Sequence, residues 1–83
     1  MNIEVARIHR LDGKSRVKAF VDVRIDGALL IKGFRIIEGE KGYFISMPSV
    51  TGADNKWYDT VRILNNETKE EINNIIMSKY MEV

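Results

Sequence analysis

The stretch Arg16–Asp26 constrains the fold more than any other part of the chain. Val17, Ala19, Val21, Val23 and Ile25 occupy every second position, and Lys18, Asp22, Arg24 and Asp26 fill the positions between. Successive side chains of a strand point to opposite faces, so this run buries one face and wets the other only as a β-strand. A strand with one wet face belongs to an antiparallel sheet. Phe20 is the exception, a large ring on the polar side.

Other elements follow from the same reading. Ile3–Arg10 reads as a first strand of imperfect alternation, with Val5, Arg7 and His9 on one face and Ala6, Ile8 and Arg10 on the other. Asp12-Gly13 is a turn dipeptide, which makes a hairpin around Leu11–Ser15. Asp26-Gly27 predicts a second hairpin. Leu29–Ile37 is almost continuously apolar and reads as a central strand, and Gly33 within it marks a bulge or a close backbone approach. After a turn at Lys41-Gly42, Tyr43–Met47 forms a short fourth strand that Pro48 ends by removing a ladder donor. Ser49–Lys56 reads as a loop, and Trp57–Ile63 as an irregular fifth strand.

The period then changes to that of a helix. Asn66 or Thr68 supplies the cap, Thr68 with Glu71 fits a capping box, and Glu67, Glu70 and Glu71 suit the positive end of the macrodipole. Ile72, Ile75, Ile76, Tyr80 and Val83 form one apolar stripe. A helix this short is marginal alone, so the stripe must lie on the sheet or on a partner subunit. The expected fold is α+β, an antiparallel sheet of four to five strands followed by a C-terminal helix. It is one domain, 1–83, with the sheet region at 1–63 and the helix at 66–82.

At 83 residues the core is thin. Small domains compensate with disulfides, metal or self-association. With no Cys and one His, the first route is closed and a zinc site lacks ligands, which leaves association. No segment approaches a membrane span and Met1–Arg10 lacks a signal-peptide core, so a cytoplasmic protein is expected. Net charge is +1, but residues 1–36 carry eight Lys/Arg against four Asp/Glu, whereas residues 37–83 carry five against eight. A basic half can be a phosphate footprint. His9 has no catalytic or metal-ligand spacing around it, Glu38 and Glu40 belong to a solvated turn, and no phosphate-cradling glycine motif occurs. Neither enzymatic activity nor a cofactor is expected.

Several strings point to a family. Val5-Ala6-Arg7-Ile8-His9-Arg10 is similar to a V-x-R-x-R-R opening, and Phe34-Arg35-Ile36-Ile37-Glu38-Gly39 to I-R-V-I-(D/E)-G. Gly42-Tyr43-Phe44-Ile45-Ser46-Met47-Pro48-Ser49 is similar to G-x-F-(V/I)-x-M-P-S, the most specific match. Asp59 and Asn65 fall where an Asp follows the loop and an Asn precedes the helix. Together, in order and over essentially the whole chain, they resemble the stage V sporulation protein G (SpoVG) family. The resemblance implies a small bacterial homodimer linked to cell-division septation and sporulation, with members that bind DNA and some that bind RNA as regulators, and no enzymatic activity. Arg7, Arg10 and Arg35 match family positions. Lys56, Arg62 and Lys69 flank the loop and helix start. These six are the expected nucleic-acid contacts, and arginine forks suit phosphate. Tyr43, Phe44, Trp57 and Tyr58 could stack on bases if exposed, or be buried in the core or a dimer interface. One departure stands out: many members carry a Lys-Arg pair after the M-P-S string, and this chain has Val50-Thr51. The alternative reading is therefore a protein-interaction module of the same fold without nucleic-acid binding.

Overall fold

The alternating run becomes the second strand of a four-stranded antiparallel sheet. A computed structural model describes residues 1–82. Strands β1 (Ile3–Arg10), β2 (Val17–Ile25), β3 (Leu29–Gly39) and β4 (Gly42–Ser46) lie side by side in chain order. Strands β5 (Ser49–Thr51) and β6 (Trp57–Asp59) form a separate two-stranded arm, and helix α1 spans Asn66–Met81. No helix among the described residues is long and apolar enough to cross a membrane.

One face of the sheet is buried. Ala19, Val21 and Val23 of β2 and Phe34 and Ile36 of β3 are fully enclosed, joined by Ile3 and by Ile72 and Ile76 of α1. The two helix residues are four apart, so they lie on one side of α1 and press the same layer. No polar or charged side chain is buried among the described residues. The layer therefore rests on apolar burial alone, which is non-directional, and its register has to come from the backbone.

Three register shifts set that pairing, one of them at Lys18, where Val17 and Ala19 face the adjacent residues Ile37 and Ile36. Opposite Val21 and Val23, β3 presents Phe34 and Ile31, so Lys32 and Gly33 stand against one β2 position. Gly33 has φ +99, outside what a side chain tolerates, and a Cβ there would lie 3.7 Å from Pro48. The bulge or close approach expected at Gly33 is thus both at once. In β1 the register shifts between Val5 and Arg7. Val5 pairs with Val23 and Ile8 with Val21, while Arg7 and His9 pair with Asp22 and Phe20. The sequence grouping of Val5 with Arg7 and His9 is corrected: the extra residue at Ala6 returns Val5 to the core side and accounts for the broken alternation.

Three local expectations change. Ser49–Lys56 is not all loop, because Ser49, Val50 and Thr51 pair with Asp59, Tyr58 and Trp57. The strand expected over Trp57–Ile63 stops at Asp59, after which the Thr60 N–H donates to the Pro48 carbonyl at 2.8 Å and closes the arm. The helix cap is Asn65 rather than Asn66 or Thr68: its Oδ1 accepts from the Thr68 N–H at 2.8 Å. The helix ends at Met81, and Val83, the last residue of the expected stripe, lies outside the described residues. At its C-terminal end the Tyr80 ring meets Tyr43 of β4 edge-on, with centroids 5.7 Å apart.

If α1 is held by this layer, Ile76→Ala, at a position with no exposure, should cost about 2–5 kcal/mol, a large share of a small domain's stability. Urea unfolding measures it, and a cost below about 1 kcal/mol would mean that the helix is not docked as described.

Candidate nucleic-acid interface

The six cations expected to contact nucleic acid do different work. Arg10 ends β1, and its Nη2 donates to the Tyr80 carbonyl at 2.8 Å and to the Glu82 carbonyl at 3.3 Å. Its guanidinium also sits 4.7 Å from the centroid of the Tyr80 ring. The last carbonyls of a helix lack intrahelical donors and carry the negative end of the macrodipole, so a cation there is a fastening. Arg35, in the middle of β3, is half-buried. Its Nη2 lies 2.9 Å from Ser46 Oγ, 2.8 Å from Ser49 Oγ and 3.4 Å from the Met47 carbonyl oxygen. The same guanidinium is 5.6 Å from the Trp57 ring centroid, and its buried Nε has no partner. Arg35 thus clamps the chain on both sides of Pro48.

The other four are exposed. Arg7 faces Asp22 across the β1–β2 ladder on the solvent side of the sheet. Lys56 follows the tight bend of the arm, where its N–H donates to Asp54 Oδ1 at 3.1 Å and its carbonyl accepts from Gly52 at 2.8 Å, so its backbone is fixed. Arg62 lies in the link to α1, beside an apolar hollow that also involves Met1, Ile63 and Leu64. Lys69 is in the first helical turn with Glu67, Glu70 and Glu71 as sequence neighbours. None of these four forms an ion pair among the described residues, whereas Lys18–Glu38, Arg24–Glu4 and Lys79–Glu82 do.

The structure adds two residues. A shallow hollow on the solvent face of the sheet is lined by Arg7, His9, Phe20, Asp22 and Lys32. Phe20, 41% exposed, stands among Arg7, His9 and Lys32. The sequence signal for it was the ring interrupting the polar positions of β2. Lys32 could not be placed without the bulge. The aromatic residues after β3 are exposed as well: Tyr43 and Phe44 on β4, Trp57 and Tyr58 on the arm. Val50 and Thr51 sit on the arm opposite Tyr58 and Trp57.

The bend of the arm is held by a polar pair. The Tyr58 hydroxyl donates to the Asp54 carboxylate, and its ring lies against Gly52, where a Cβ would come within 2.7 Å. The hydrogen bond from Tyr58, followed by that from the Lys56 N–H, holds the Asp54 carboxyl below its ordinary range, and the same bond pushes the Tyr58 phenol up. Asp54 therefore supports the bend at pH above its ordinary pKa and loses that support as pH falls through the lowered value. Tyr58 supports it below the ordinary phenol range and loses it as pH rises through the raised value.

Two outcomes are expected. Arg35→Ala should lower the melting temperature by roughly 4–15 °C, from the ~1–2 kcal/mol carried by charge-assisted bonds, while Arg7→Ala leaves it nearly unchanged. Equal effects would remove the division between fastening and free cations. Asp54→Asn should bring the Tyr58 titration down to lower pH, read by ultraviolet absorbance of the phenolate, and an unmoved titration would show that the pair does not form in solution.

Comparison with known proteins identifies the family. The SpoVG family model matches residues 1–82. A protein of Agathobacter rectalis named "Putative septation protein SpoVG" is 38% identical over 80 residues, which cover 96% of this chain and 92% of that protein. Identically named proteins of Clostridium perfringens and Phytoplasma australiense are each 34% identical over the whole chain, covering 92% and 86% of their own lengths. With matches of this extent, the chain belongs to the SpoVG family.

Proposed function

We propose that the protein is a cytoplasmic nucleic-acid-binding regulator, acting as a homodimer on DNA or RNA in the control of septation and sporulation-type gene expression. The observation that carries the reading is the solvent face of the sheet, where Arg7, His9 and Lys32 surround the exposed ring of Phe20. Two cations, Arg7 and Lys32, beside an aromatic platform on an open sheet suit a strand of nucleic acid, with phosphates held by charge and a base stacked on the ring. Lys56, Arg62 and Lys69 are further free cations. Septation enters through the names of the relatives.

In this mechanism Arg7 and Lys32 neutralise phosphates and release condensed counterions, so affinity falls steeply with salt. A two-fold dimer doubles the number of neutralised phosphates. Asp22 beside Arg7 tempers the field, so on this reading the binding is weak and salt-sensitive. A second reading, a protein-interaction module, is favoured by the commitment of Arg10 and Arg35 to the fold and by Val50-Thr51 in place of a basic pair.

Fluorescence anisotropy of labelled single- and double-stranded DNA and RNA over a range of salt tests both. Arg7→Ala and Lys32→Ala should each reduce the slope of log affinity against log salt by about 1. Phe20→Ala should weaken single-stranded binding by roughly 1–3 kcal/mol, and duplex binding by less. Absence of binding at low salt would leave the interaction module.

A further inference from the structure

We propose that the apolar hollow beside the start of α1 docks a short segment of another protein, one that carries a Phe or Leu anchor next to Asp or Glu. The hollow opens on the α1 side of the sheet and Phe20 lies on the other, so this site does not depend on nucleic-acid binding.

Helix α1 leaves part of the apolar face bare. On β2, Val21 and Val23 have no exposure, but Ile25, the next residue on that face, is only half-buried, and so is Ile31 on β3. Although the helix starts at Asn66, its first buried residue is Ile72. The sheet thus runs on past the docked part of the helix. Its uncovered end is a hollow of about 290 Å³ among Met1, Ile25, Ile31, Ile63 and Leu64, continuous with Phe34 and Ile72 of the core.

The surroundings of the hollow are apolar and in water. Leu64 is 89% exposed, Met1 65%, and Leu29, which pairs with Ile25, 62%. Small-molecule sites run from ~300 to 1,000 Å³ and enclose most of the ligand. This hollow lies at the bottom of that range, while the apolar surface continues outside it onto Leu29 and Leu64. One anchoring side chain fills such a space, and the chain that carries it covers the rim and excludes water, which is the anatomy of a hot spot between proteins.

Charge sets the sign of the partner. Arg62 is the one charged residue lining the hollow among the described residues; it is exposed and forms no ion pair among them. An arginine fork holds a carboxylate through two parallel hydrogen bonds. A segment with Asp or Glu beside its anchor satisfies both the leucines and Arg62, and one with Lys or Arg there is repelled. Nucleic acid would satisfy Arg62 and leave the leucines in water. Arg62 is thereby assigned to a carboxylate, with Arg7 and Lys32 left for phosphate.

The probe is the peptide acetyl-Glu-Asp-Phe-Leu-Asp-Glu-amide, titrated into the isotope-labelled full chain and followed by the amide resonances in NMR. It should shift Ile25, Ile31, Ile63 and Leu64 and leave Phe20 in place, with a dissociation constant of about 1 mM or below. Exchanging its acids for Lys, or its Phe and Leu for Ser, should abolish the shifts. Arg62→Glu and Leu64→Ser, both at exposed positions and so compatible with folding, should each weaken binding about fivefold. A hollow left unshifted at millimolar peptide, equal binding of the lysine peptide, or shifts gathered around Phe20 overturns the assignment. So do hollow amides that move with protein concentration alone, which means that a second copy fills the space, and tighter binding of decanoate than of the peptide, which makes it a lipid site. All of these are read without nucleic acid, so failure of the nucleic-acid reading and failure of this one are separable.

Discussion

A single apolar layer between β2–β3 and α1 holds the molecule together. Among the described residues eight are buried in it, and none brings a polar or charged side chain into it. Apolar contact does not choose among registers, because a strand shifted by two residues still presents its apolar face. Positioning falls to the backbone devices, above all the Gly33 bulge against Pro48, and to the polar fastenings at the rim. Arg35 holds the passage from β4 to the arm, Asn65 starts the helix and Arg10 finishes it.

This arrangement explains why family-pattern positions do not translate directly into a binding site. Arg7, Arg10 and Arg35 look alike in a string of residues. In the fold, Arg10 finds helix carbonyls without donors, Arg35 finds two hydroxyls and a carbonyl, and Arg7 alone of the three has no side-chain hydrogen bond among the described residues. A cation already satisfied by internal acceptors has to lose them before it binds phosphate, so the free cations are the ones available at no structural cost.

Much of the fold was legible because side-chain period is a local property. The β2 alternation, the Asp12-Gly13 and Asp26-Gly27 turns, the Gly33 bulge and the helical stripe all depend on neighbours within a few residues. What escaped depends on partners far along the chain. The extra residue at Ala6 has no glycine to mark it. Strand β5 exists only because Trp57–Asp59 returns beside it. Asn65 and Asn66 are equivalent as sequence, and only backbone geometry decides which one caps. Phe20 and the cations beside it come from three different strands, so no spacing in the sequence could announce them.

The link from Arg10 to the Tyr80 carbonyl joins positions 70 residues apart. The sheet, by contrast, is a meander in which each strand pairs with its neighbour in the chain. Closing a long loop costs more chain entropy than closing a short one. The order of assembly is therefore built into the topology: hairpins can zip in sequence, while docking of α1 waits for most of the polypeptide. During synthesis on the ribosome, the sheet emerges first with its apolar face bare, and it stays so until the last sixteen-residue element arrives to cover it.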